Sequence, residues 1–213
     1  MSVVTSTILV LCSITGLLGQ GYSGMSRAQA KKAILANRVS GQIGKSFDFR
    51  LTATDRSYNF KLRATWLTPS AIEARARLEQ LSKVLSDSDT KRLIEAALRV
   101  GEIVIQVEID PREGSGVIPD DWVALLGPKG GTSGISKVVS GKKMPSLRDK
   151  PALAPIEPRD YSYELFWLVF PANREDGAPV FSAQDKEAEL LVRIQGKLGR
   201  VAWPVPTYLL RKP

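Results

Sequence analysis

The sequence predicts a mainly β fold, α+β by content: an antiparallel β-sandwich with a helical hairpin inserted between its strands. Three observations carry this. Segments such as "FDFRLTAT", "NFKLRATW" and "EIVIQVEID" alternate apolar and polar residues with period two, the mark of a strand with one buried face. Sustained helical spacing of apolar residues falls in one block, residues 69–100. Strands and helices do not alternate regularly, as a parallel sheet with crossover helices would require.

The 213 residues divide into an N-terminal signal peptide or anchor (1–23), a polar leader (24–46) and a single domain (47–213) that carries the helical insert. Residues 3–18, "VVTSTILVLCSITGLL", form a nearly uninterrupted apolar run followed by the small residues of "GQGYSG", the pattern of an export signal. The run is short for a stable membrane span, so removal near Ser23 and an extracytoplasmic location, periplasmic or secreted, are expected. No Lys or Arg precedes it, which leaves two alternatives: an uncleaved anchor, or translation from Met25 to give a cytoplasmic protein.

In the leader, "AQAKKAILANRV" is capable of a short helix that "SGQIGKS" breaks. The first predicted hairpin pairs Phe47, Phe49, Leu51 and Ala53 with Phe60, Leu62, Ala64 and Trp66 across Asp55, Arg56 and Ser57. Thr68 then caps a helix with Pro69 at its first position, and Ser86 caps a second with Asp89 three residues on. Strand structure returns at "EIVIQVEID", with Ile103, Ile105, Val107 and Ile109 on one face and Glu102, Gln106, Glu108 and Asp110 on the other. "DWVALL" is a short strand, and residues 127–160, rich in Gly and Pro, read as a long connection. "YSYELFWLVF" is apolar on both faces and reads as a central strand containing Trp167. Asp176-Gly177 turns the chain, "APVF" is a short edge piece, and a terminal hairpin turns at residues 196–199, its last strand held at an edge by Pro204 and Pro206. In architecture alone this resembles immunoglobulin-like secreted domains; no motif residue carries the resemblance, and fold by itself licenses no function.

Composition excludes more than it selects. There is no histidine, and the only cysteine is Cys12, inside the apolar run. The domain therefore has no Cys or His zinc ligands, no Ser-His or Cys-His nucleophile pair and no disulfide. Carboxylates, Lys, Tyr, Ser and oxygen-ligated metals remain. A net charge of +8 and a pI near 9.7 favour acidic partners, with the densest basic group at Lys137, Lys142, Lys143, Arg148 and Lys150. No internal repeat is present.

The stretch "VEIDPREGSGVIPDDW" holds five carboxylates, Glu108, Asp110, Glu113, Asp120 and Asp121, around a Gly-Ser-Gly hinge. Such a set is an oxygen cage for calcium if the residues converge. The EF-hand pattern fails, because Pro111 and Arg112 stand where side-chain oxygens are needed, and a solvated turn is the expected reading. Glu108 with Asp121 is the one pair that fits acid–base hydrolysis. "LGPKGGTSG" departs from the phosphate-loop pattern and lacks its strand-then-helix setting. Of the four tryptophans, Trp66 and Trp167 are expected in the core. Trp122 and Trp203, near loop ends, are expected at a binding surface together with Lys142 and Lys143.

The expected function is that of a non-enzymatic exported domain that binds a protein or an acidic envelope polymer, without a cofactor, without specific nucleic-acid binding and without a stable membrane span after cleavage. The alternative is a metal-dependent or carboxylate hydrolase that uses the acidic loop 108–121.

Overall fold

The computed structural model describes residues 21–42, 60–111, 117–130, 137–155, 163–195 and 197–210. Its helices are α1 (Arg27–Leu35), α2 (Pro69–Lys83) and α3 (Asp87–Leu98). Its strands are β1 (Arg38–Gln42), β2 (Phe60–Trp66), β3 (Ile103–Pro111), β4 (Val123–Pro128), β5 (Val139–Ser140), β6 (Lys142–Lys143), β7 (Glu164–Phe170), β8 (Glu187–Ile194) and β9 (Lys197–Pro204). They form two antiparallel sheets, a five-stranded one in the order β1-β2-β3-β7-β6 and a four-stranded one in the order β5-β4-β8-β9.

Period-two alternation sends one face of every long strand into a shared interior. Phe60, Leu62, Ala64 and Trp66 of β2 are 1% exposed or less, and Ile103, Ile105, Val107 and Ile109 of β3 join them. Ala124 and Leu126 of β4, with Leu190 and Val192 of β8, complete the same core from the other sheet. The two sheets thus face one another.

The outer face of the five-stranded sheet is covered by helices along part of its length. Ile72 and Ala76 of α2 with Ile94 and Ala97 of α3 pack on Val104 and Trp167. The caps are those the sequence predicts: Thr68 accepts from the Ala71 amide and Ser86 from the Asp89 amide. Between the two helices Val84 stands in the left-handed region at φ 54°, where glycine is the common choice, and it is 91% exposed. Trp167 is buried beside Leu165 and Val169, with its indole N–H donating to the Leu153 carbonyl at 2.9 Å.

The two sheets are tied together on both sides. A single residue, Gly141, separates β5 in one sheet from β6 in the other; its amide donates to the Ala124 carbonyl at 2.9 Å, and a Cβ there would lie 2.6 Å from the Phe170 ring. Opposite, β1 runs so close to β9 that a Cβ on Gly41 would lie 2.6 Å from the Arg200 carbonyl oxygen. Neither approach tolerates a side chain.

Two expectations change and one falls outside the described residues. The described part of the predicted polar leader 24–46, residues 24–42, is built into the fold: α1 packs Ala30 and Ile34 on Ala74 and Leu78 of α2, and β1 pairs with β2 throughout its length. The first strand of the predicted opening hairpin, residues 47–54, lies outside the described residues; among the described strands β2 has β1 and β3 as neighbours. The terminal hairpin turns earlier than predicted, because Ile194 pairs with Lys197 and leaves a two-residue connection with Gln195 at φ 44°. Positive φ in a two-residue loop matches the twist of the strands it joins. Among the described residues no helix is long and apolar enough to cross a membrane, and residues 1–20, which hold the predicted signal, lie outside them.

Candidate functional site

Among the described residues the carboxylates of the acidic stretch do not come together as a cage. On β3 the alternation turns Val107 and Ile109 into the core between the sheets, so Glu108 and Asp110 stand on the outer face. There Glu108 meets Arg38 of β1 and Arg63 of β2. Arg38 Nη2 reaches its two carboxylate oxygens at 2.8 and 2.9 Å, and Arg63 Nη2 reaches Oε2 at 2.8 Å. The three side chains are only 14–23% exposed, and the Arg63 guanidinium lies 3.6 Å from the centre of the Tyr163 ring. A carboxylate held by two guanidinium groups in this way ties three neighbouring strands together through charge-assisted bonds. Asp110 stands opposite Lys61 in the ladder and is nearly buried.

Asp120 and Asp121 sit apart from that cluster, in the turn before β4, where Asp121 is exposed. Glu113 lies outside the described residues. Among the described residues no three carboxylates are grouped as a metal site would need. Lys143 instead reaches into this turn: its Nζ donates to the Asp120 carbonyl at 2.5 Å and lies 4.3 Å from the centre of the Trp122 ring. Burial pushes the Lys143 ammonium below its ordinary range, and the charges of Asp120 and Asp121 pull it back up in part.

The two tryptophans expected at a binding surface are both buried. Trp122 is 3% exposed and packs edge-on against Phe166 at 5.0 Å, and Trp203 is 4% exposed, edge-on to Trp66 at 5.5 Å. The Trp203 indole N–H donates to the Asn37 carbonyl at 2.9 Å. Both rings lie near strand ends, and both are covered because the opposing sheet supplies an aromatic partner there. Lys142 remains exposed and Lys143 is half-buried.

What the structure does open is a cleft of about 270 Å³ on the far side of β7. One wall is Lys143, Met144, Pro145 and Arg148; the other is β7 at residues 164–167. Its origin is local. β6 follows β7 for two residues and Met144 adds one more bond, its amide donating to the Trp167 carbonyl at 2.9 Å. Pro145 then ends the pairing, having no N–H to give, and opens a 3₁₀ turn, Pro145–Asp149. Leu147 of that turn is 2% exposed and anchored in the helix-side core, which draws the chain off the edge of β7. The floor so exposed is Leu165 and Phe166, and the rim carries Lys143, Arg148 and Glu164.

Sequence reasoning named Lys142 and Lys143 and noted Arg148, yet missed Leu165 and Phe166 as the floor of a cleft. The available signal was Pro145 directly after the basic pair and Met144, a strand stop beside an apolar strand. Comparison of the chain with family models, with curated proteins and with solved structures finds no match in any of the three.

Proposed function

We propose that this chain is a non-enzymatic exported domain that binds a protein or an acidic envelope polymer, and that its site is the cleft beside β7. The observation that carries the reading is the cleft itself: an apolar floor of Leu165 and Phe166 under a rim where Lys143 and Arg148 outnumber Glu164. Apolar floor with a few placed charges is the common make-up of recognition sites. The clamping of Glu108 by Arg38 and Arg63 supports a binding role over hydrolysis, since it occupies the carboxylate that an acid–base pair would use. Export rests on the apolar run at residues 3–18, and the facing sheets support the sandwich architecture the sequence predicts.

The test is binding of fluorescent poly-glutamate and fluorescent polygalacturonate, followed by anisotropy. At least one should bind, with the affinity falling about tenfold in Arg148→Glu and falling further toward about 1 M salt, where the screening length is about 3 Å. Absence of binding to both at low salt would sink the proposal, as would binding indifferent to Arg148→Glu. Export is tested separately by the intact mass of the protein from an extracytoplasmic fraction: a start near Ser23 supports it, and retained Met1 overturns cleavage.

A further inference from the structure

We infer that the occupant of this cleft is an extended acidic peptide segment of a partner protein, added as a further strand on the edge of β7. The inference rests on the cleft reading above and goes beyond it by choosing between peptide and polymer.

The backbone register makes the choice. In an antiparallel pair, residues whose N–H and C=O point to one neighbour recur every second position. Met144 donates to the Trp167 carbonyl, so Trp167 points its backbone groups toward β6, and Val169, opposite Lys142, does the same. The next such residue is Leu165. Its register partner would be Ser146, but Pro145 has already turned the chain into the 3₁₀ turn. Leu165 therefore presents one donor and one acceptor along the open edge, and among the described residues neither has a partner on that side. β7 is fully paired with β3 on its other edge, so the strand is held rigid for an incoming segment.

A polysaccharide carries no alternating amide donors and acceptors at strand spacing; a peptide does. Side chains of an added strand would alternate between the Leu165 side and the Phe166 side, and both residues line the cleft. Charge selects the composition. Arg148 is exposed and makes no ion pair or hydrogen bond among the described residues, Lys143 stands across the Phe166 side over Trp122 with Asp120 and Asp121 behind it, and Glu164 is the acidic residue of the lining. With the chain at +8 overall, approach of an acidic segment is favoured at long range as well.

The test uses the unmodified protein and changes the probe. An acetylated, amidated peptide alternating Glu and Val is compared with two versions of it, one N-methylated at every Val amide and one at every Glu amide, which keep its charge and remove the donors of one edge or the other. Expected is binding that weakens about tenfold in at least one methylated version, the size of one or two lost hydrogen bonds. Amide exchange at Leu165 should slow when the unmethylated peptide binds. Equal binding of the three peptides without protection of Leu165 overturns strand addition and leaves the cleft reading intact. Binding of polygalacturonate in place of any peptide, sensitive to Arg148→Glu, overturns it in favour of a polymer. Concentration-dependent dimerisation that excludes the peptide assigns the edge to a second copy and overturns it too. If no probe binds, both readings fall, and Lys142, Lys143 and Pro145 are only guards against edge-to-edge pairing.

Discussion

The outer face of the five-stranded sheet is covered in two different ways along one strand. At its first half β3 presents Val104 and Gln106 to the helix side, where α2, α3 and Trp167 make the covering largely apolar. At its second half the same alternation presents Glu108 and Asp110, and the covering is ionic, with Arg38 and Arg63 laid across from β1 and β2. Alternation decides which face a side chain takes. What covers that face depends on how far the helices reach, and at Glu108 the neighbouring strands supply cations instead.

The sharpest way to break this comparison is at the apolar half. Trp167→Ala removes a buried ring and its bond to the Leu153 carbonyl, and a loss of about 3–5 kcal/mol is expected. Urea denaturation reads it directly; an unchanged midpoint would show that the helix layer does not depend on Trp167. At the ionic half Glu108→Gln keeps the shape and removes the charge, leaving two guanidinium groups facing an amide. Because the three side chains keep some contact with water, about 1–2 kcal/mol is expected rather than the larger cost of breaking a fully buried pair. The contrast sharpens with salt: the Glu108→Gln cost should shrink as salt rises and the Trp167→Ala cost should not. Equal salt dependence in the two variants would erase the distinction.

The helix layer has ion pairs of its own, and in the most buried of those described Glu79 of α2 meets Arg75 at 3.1 Å and Lys83 at 2.5 Å. Burial raises the Glu79 carboxyl, but the bonds and charges of Lys83 and Arg75 outweigh it and hold the group below its ordinary 4.5. A carboxyl lowered on folding contributes stability above its unfolded pKa and loses it as pH falls through the folded one. Stability curves taken from pH 6 downward should therefore fall less steeply below about pH 4.5 in Glu79→Gln than in the parent. Parallel curves would mean that the helix layer is insensitive to this group.

The smallest expected effect is none. With Glu108 and Asp110 on the sheet and Asp120 and Asp121 in a separate turn, thermal melts in EDTA and in millimolar calcium should coincide. A bound ion at a hundredfold excess over its Kd would add about 2.7 kcal/mol. Melts that separate, with the separation abolished by Asp110→Asn and Asp121→Asn, would make the acidic stretch a metal site.

Much of the fold is legible in the sequence because it is written locally. Phe60 to Trp66 alternate without interruption and Ile103 to Ile109 do so apart from Val104, and Thr68 and Ser86 announce the two helices with caps that act within three residues. The packing of α1 escapes because its buried face is little more than Ala30 and Ile34, too slight a pattern to mark a docked helix. The burial of Trp122 and Trp203 escapes for the opposite reason: each ring is covered by an aromatic far away in sequence, Phe166 and Trp66 respectively. The cleft is the least legible feature, since it is made where pairing stops, and only the register of β6 on β7 shows where that is.

Gly141 gives that stopping point a fixed measure. One residue spans from β5 to β6, so the position of β5 on β4 dictates how far β6 travels along β7 before Pro145. The glycine acts as a spacer that sets the length of the open edge. Inserting one residue after it would advance the chain by a single strand position, turn Lys143 from the Trp122 side to the helix side, and change the slot's length and charge together. A lineage could retune the length and charge of this edge through insertions and deletions at one small link, with every strand of the two sheets left in place.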